Sequence, residues 1–385
     1  MKLKQLPQDF QVEEWTEFQT GSGPFAFYRL VKRSLGTPEA VYQLCQALKL
    51  APQRVSYGGL KDRHALTTQH LTIAGGPPRN YQGKLWSLTY LGQAERAFTP
   101  ADMLGNRFIL VLRDLSKPES SRLRSRLAET QRDGVANYFD EQRFRSVSRS
   151  GAFVARSLIA GDFDRALHLA LAEPYAHDRP AEKELKARLR QHWGDWPLLR
   201  ASLPPGSARR VASHLADHPT DLAGGFTRLP FELQSLYLSA YQSKLWNELL
   251  ARWVASRSER GQLLRIRGVG PMLRKLRPDQ IEYWRGCRLP LASARLKLPA
   301  DDPVMPLLTE ILQGEGLRLE EMKLPDLRKP FFSKGDRPAW FWPEGLTVQR
   351  AADELHPGRK KLALRFTLPR GCYATMLVKR VTAVE

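Results

Sequence analysis

One carboxylate, Asp62, stands between Lys61 and Arg63 in the stretch "GGLKDRHALTTQ", residues 58 to 69. An acid inside a basic pair, behind two glycines, reads in two ways. It is what a solvated turn presents. It is also how a carboxylate is kept ionised for chemistry, because nearby cations lower its pKa. In isolation the turn is the commoner case, so the rest of the chain has to decide.

Two further stretches carry residue types of chemical interest. "GVANYFDEQRFRS" (134 to 146) holds an amide, Asn137, then Tyr138 and Phe139, then Arg143, Phe144 and Arg145. A pocket for an extruded base needs such types: aromatic faces to stack the ring, an amide to read its edge, arginines for flanking phosphates. The competing reading is a helix end with its aromatics buried. "LPRGCYATM" (368 to 376) presents Tyr373 from a tight turn ahead of a helix. A tyrosine there packs more often than it touches a ligand. His64, His70, His168 and His177 are scattered, and HExxH and calcium-loop spacings are absent. "GSGPF" lacks the Lys-Ser/Thr of a phosphate loop, and no nucleophile elbow occurs.

These stretches need elements to place them. "FQVEEW" and "FAFYRLVKR" read as strands, and Thr37-Pro38 as the start of an amphipathic helix over 38 to 49. "RVSYGGL" reads as a short strand running into a glycine bend. "TTQHLTIAGG", "KLWSLTYLGQ" and "NRFILVLRDL" are strand candidates, followed by a helix ending near Gly134. From about 150 to 330 helical patterns dominate, among them "LPFELQSLYLSAYQSKLWNELLARWV". "KKLALRFTLPRGCYATMLVKRV" then returns to strand, turn and helix. A strand-rich start, a helix-rich middle and a strand at the end imply an inserted domain, with the last segment rejoining the first sheet.

Length and composition set the outer bounds. The chain has 385 residues, enough for two domains, and 60 Lys plus Arg against 40 Asp plus Glu give a formal charge of +20. The basic residues run through apolar segments, so the charge belongs to a folded surface. It favours a polyanionic partner. Three separated cysteines, Cys45, Cys287 and Cys372, argue for a reducing compartment and against structural zinc or disulfides. No apolar run is long enough to cross a bilayer, and "MKLKQLPQDF" has no apolar leader pattern. A cytoplasmic monomer with no membrane or protein partner is expected.

Taken in order, "KQLPQDFQVEE", "VSYGGLKDRHALTTQ", "GNRFILVLR", "GVANYFDEQRF", "LSAYQSKLWN" and "LRFTLPRGCYAT" resemble the TruD family of pseudouridine synthases. The resemblance is close at both ends and looser in the middle. It implies an α+β fold: a catalytic domain on a mixed, mostly antiparallel sheet (1–155 and 331–385) with an α+β TruD domain inserted at 156–330. It implies conversion of uridine to pseudouridine in tRNA, with uridine 13 as target, without metal or cofactor. Asp62 matches the essential aspartate. Phe10, Asn137 and Tyr373 match contacts to the base, and Phe139 falls where related synthases use tyrosine. Lys4 matches a basic position near the aspartate. Lys61, Arg63 and Arg143 are candidates for the RNA backbone. The residues leave open which cation faces Asp62. If Asp62 ends a strand, alternation turns Lys61 and Arg63 away and makes Lys4 or a distant arginine the partner. Arg145 departs from the family's usual glycine, and the inserted region looks longer than in compact members. Two other readings stay open: the same chemistry on another RNA, or an RNA-binding protein without catalysis.

Overall fold

The segment Phe10–Thr16 alternates buried and exposed residues, with Phe10, Val12 and Glu14 inward. That period of two makes it a strand with one covered face. In the computed structural model of the chain, which describes residues 1–383 except 177, 260, 267, 300, 325 and 328, it lies in the middle of a ten-stranded sheet. His177 lies outside the described residues.

The strands of this sheet are β1 (Lys2–Leu3), β2 (Phe10–Thr16), β3 (Phe25–Arg33), β4 (Val55–Tyr57), β5 (Leu66–Ala74), β6 (Tyr81–Gln82), β7 (Trp86–Ala94), β8 (Met103–Leu115), β9 (Glu344–Ala352) and β10 (Lys360–Pro369). Their order is β9-β10-β8-β2-β5-β3-β7-β6, with β1 also on β8 and β4 also on β5. Only β2 and β5 pair in parallel; the remaining pairs are antiparallel. The fold is therefore α+β on a mixed, mostly antiparallel sheet, as the resemblance implies. The C-terminal strands do rejoin the sheet begun by the first residues.

Register sets which side chains share a face. Glu14 pairs with Asn106, and Asn106 with Leu368. Directly opposed residues share a face, so Glu14, Asn106 and Leu368 form one row, and Phe10 lies on the same face farther along β2. The strand β3 places Ala26, Tyr28 and Leu30 against a core that also holds Ala40, Val41 and Leu44 of helix α1 (Thr37–Leu48). The same alternation puts Lys32 on the core side.

By internal contacts the chain divides into two units: Met1–Val135 with the segment from Phe341 onward, and Ala136–Trp340. The expected boundaries were 155/156 and 330/331; the division by contacts falls earlier at the first and later at the second. The second unit is mainly helical and includes two antiparallel strand pairs, the hairpin Leu263–Ile266 with Gly270–Leu273 and the long-range pair Arg288–Pro290 with Asp336–Pro338. Its longest helix, Phe231–Ala255, buries Tyr237, Tyr241, Leu245, Trp246, Leu249 and Trp253. A helix covered on most sides is an interior one. Among the described residues no helix is long and apolar enough to cross a membrane.

Candidate active site

Asp62 lies in the loop between β4 and β5, not at a strand end. Of the cations left open by the sequence, Lys4 pairs with it: the Lys4 ammonium donates to Asp62 Oδ2. The same Nζ lies 3.9 Å from the centre of the Phe10 ring, a cation–π contact that fixes the amine between ring and carboxylate. Asp62 Oδ1 accepts the His64 amide at 3.0 Å. Charge-assisted bonds of this kind favour the ionised carboxylate.

The N-terminal turn delivers Lys4. Its φ is 57°, the left-handed region, which costs a residue with a Cβ roughly 1–2 kcal/mol. Contacts on either side hold that turn. Lys2 and Leu3 pair with Arg113 and Leu112. Buried Arg113 grips Asp9 at 3.0 and 2.9 Å and Asp353 at 2.9 Å. Backbone strain of this kind is maintained only when its surroundings over-determine it.

Lys61 and Arg63 both turn away from Asp62. The Lys61 ammonium meets Glu14 at 3.0 Å and Asn106 Oδ1 at 2.7 Å, and its side chain is 7% exposed. Expected on the RNA backbone, it is instead committed to a buried carboxylate, because an uncompensated Glu14 inside the sheet would be too costly. Burial would raise the Glu14 pKa; the hydrogen bond from His70 and the Lys61 charge outweigh it and hold Glu14 below its ordinary value. Arg63 pairs with Glu39 in the first turn of α1 at 2.8 Å and stays part exposed. Tyr373 is the residue before the C-terminal helix Ala374–Thr382, just beyond the Glu14–Asn106–Leu368 row, and is half-buried.

Asn137, Phe139 and Arg143 gather in the second unit. Asn137 is 1% exposed. Its amide donates to Pro338 O at 2.9 Å and accepts from Arg337 at 2.8 Å, and Arg337 also bonds its carbonyl at 2.7 Å. An amide so engaged orders the protein around it. Phe139 is likewise buried: Arg337 stacks on its ring at 3.7 Å, and Trp246 meets it edge-on at 5.5 Å. Asn247 clamps its backbone, accepting from the amide at 2.8 Å and donating to the carbonyl at 2.9 Å. Arg143 donates to Ser243 at 3.1 Å. The "LSAYQSKLWN" stretch thus supports the "NYFDEQRF" block: Ser243, Trp246 and Asn247 are its working members. The aromatics Tyr138 and Phe139 are both buried.

Sequence reasoning missed two residues. Arg337 sits on the strand Asp336–Pro338, and nothing in "GDRPAW" marks it. Lys32 is 1% exposed, and its ammonium bonds main-chain carbonyls beside Asp62. Its signal was available: a lysine on the core side of an alternating strand. Among the described residues no group of three or more His, Cys, Asp or Glu side chains is placed to hold a metal ion.

The comparisons with known proteins agree with one another. The family profile described as tRNA pseudouridine synthase D (TruD) matches residues 1–266 and 288–381. A probable tRNA pseudouridine synthase D 2 of Methanocaldococcus jannaschii is 29% identical over 99% of this chain and 91% of its own length. A tRNA pseudouridine synthase D of Leptospira interrogans is 26% identical over 98% and 95%. The crystal structure of the putative TruD from Methanosarcina mazei superposes with a TM-score of 0.69 at 26% identity, covering 100% of this chain and 93% of that one.

Proposed function

The chain belongs to the TruD family of tRNA pseudouridine synthases, and from that premise we propose that it converts uridine 13 of tRNA to pseudouridine with Asp62 as the reacting carboxylate and no cofactor. The observation that carries this reading is the Lys4–Asp62 pair set over Phe10. It supplies an ionised acid with a fixed direction beside an aromatic face, which is what the chemistry asks for.

The reaction breaks N1–C1′, turns the uracil and joins C5 to C1′. C5 loses a proton and N1 gains one, so substrate and product have the same atoms and oxidation state. A redox-neutral isomerisation needs no external oxidant or reductant. A carboxylate acting at the sugar as nucleophile or as base works only while ionised, and the Lys4 ammonium favours that form. The detached uracil has to be retained between the two bond changes. Phe10 and Tyr373 offer aromatic surface in the same unit as Asp62. Asn137 contributes by ordering Arg337, and Arg337 by stacking on Phe139. Lys4 has two roles: it directs the carboxylate and covers the Phe10 ring.

The test is to map pseudouridine at single-nucleotide resolution in unmodified tRNA transcripts incubated with the purified protein. The reading expects one new pseudouridine at position 13. Modification only in a different RNA would retain the chemistry and overturn the target. No modification in any RNA would overturn the enzyme reading itself.

A further inference from the structure

Lys32 occupies a place where lysine is costly. On β3 it continues the row Ala26, Tyr28, Leu30 that faces the α1 core, and it is 1% exposed. A buried ammonium is tolerated when its donors are satisfied. Here its ammonium donates to main-chain carbonyls: Leu35 at 2.6 Å, Asp62 at 3.1 Å and Lys61 at 3.5 Å. One charged group thus links the β3–α1 connection to the two peptide units around Asp62.

We propose that Lys32 is a positioning residue for the reaction: its buried ammonium holds the Asp62 peptide so that the carboxylate meets Lys4 and the substrate in one orientation. The inference rests on the reading of Asp62 as the reacting carboxylate. Other contacts fix the flanks of the loop. The Lys61 amide donates to Thr37 Oγ1 at 2.9 Å, and Thr37 donates to Gln69 at 2.8 Å. Arg63 holds Glu39, and Ser34 N bonds Ala65 O at 3.3 Å. Lys4 reaches the carboxylate itself. Lys32 bonds the Asp62 carbonyl.

The tether depends on charge. Burial pushes the Lys32 ammonium down from 10.5 to about 8, against the pull of Asp62 and Glu39 and with the repulsion of Lys61. Above about pH 8 the amine is neutral, with one donor fewer and weaker bonds to carbonyls. The linkage runs the other way for stability. Between about 8 and 10.5 the folded chain has released a proton that the unfolded chain keeps, so this group's contribution to stability rises with pH across that window. Loss of turnover there without loss of stability is the signature of a positioning charge.

The experiment compares the wild-type protein with Lys32→Met on a tRNA transcript, measuring kcat, tRNA Kd and melting temperature between about pH 7 and about pH 9.5, with backbone hydrogen exchange in the absence of RNA. The expected wild-type result is a fall in kcat through about pH 8 at unchanged Kd and no fall in melting temperature. Lys32→Met is expected to lower kcat about 100-fold, to change Kd less than about threefold, to lose the alkaline limb, and to speed exchange at the Lys61 and His64 amides. Wild-type kcat in Lys32→Met, or the same alkaline limb in both proteins, overturns the proposal. Should the variant fail to fold, wild-type exchange and kcat decide: both altered above about pH 8 support the tether, and both flat overturn it. The exchange readout needs no catalysis, so failure of the Asp62 reading is seen separately, as turnover retained in an Asp62 variant.

Discussion

At the scale of single residues, the proposed unit of function is a short chain of contacts: the Phe10 ring, the Lys4 ammonium, the Asp62 carboxylate and the His64 amide. Each member restricts the next. The Phe139 cluster is organised differently, as packing with one cation. Phe139→Leu keeps most of the volume but removes the ring from Arg337 and Trp246. It should cost about 1–2 kcal/mol in stability, lower pseudouridine formation about tenfold through displaced neighbours, and leave tRNA Kd within about threefold. Denaturation, single-turnover product formation and filter binding measure the three. Equal losses in turnover and binding would assign Phe139 to packing alone. The roles of Asp62 and Lys4 rested on motif matching in the sequence, because no spacing rule brings two residues 58 positions apart together. Alternation, applied as if Asp62 ended a strand, turned Lys61 and Arg63 away. The structure gives the same outcome for another reason: Glu14 and Glu39 hold them.

At the scale of elements, period-two patterns marked β2, β3, β5, β7, β8 and β10, and Thr37-Pro38 marked α1. β9 escaped notice because its residues are mostly exposed and the burial signal is weak. The two-residue strands β1 and β6 are too short to show a period. Pairing order was not legible. The parallel β2–β5 neighbour relation comes from tertiary packing, and it places the Asp62 loop beside the start of β2. Glu14 shows what that arrangement requires. Its carboxylate takes the Lys61 ammonium and the His70 amide, the latter at 2.7 Å. Glu14→Gln leaves the Lys61 charge buried without its counter-ion and should destabilise this unit by about 3 kcal/mol. Urea denaturation followed by far-UV signal and tryptophan fluorescence checks it. A change below about 1 kcal/mol would mean that Lys61 finds solvent on its own.

At the scale of the whole molecule, the formal charge of +20 belongs to a chain that gives many of its cations to internal partners, Lys32, Lys61, Arg113 and Arg337 among them. Total charge therefore overstates the phosphate contacts available, and composition alone could not separate the two groups. Those that remain should still make tRNA affinity fall with salt, with a log–log slope steeper than about −3. A flat response would remove phosphate contacts as the main source of binding. In the proposed account, charge holds the RNA and one acid changes it. The most direct measurement is therefore pseudouridine formation in tRNA by Asp62→Asn at enzyme concentrations that saturate the RNA. The account predicts no product over a time in which the wild type converts all of its substrate, with tRNA Kd unchanged within about threefold. Product formed by that variant at a rate near the wild type's would contradict it.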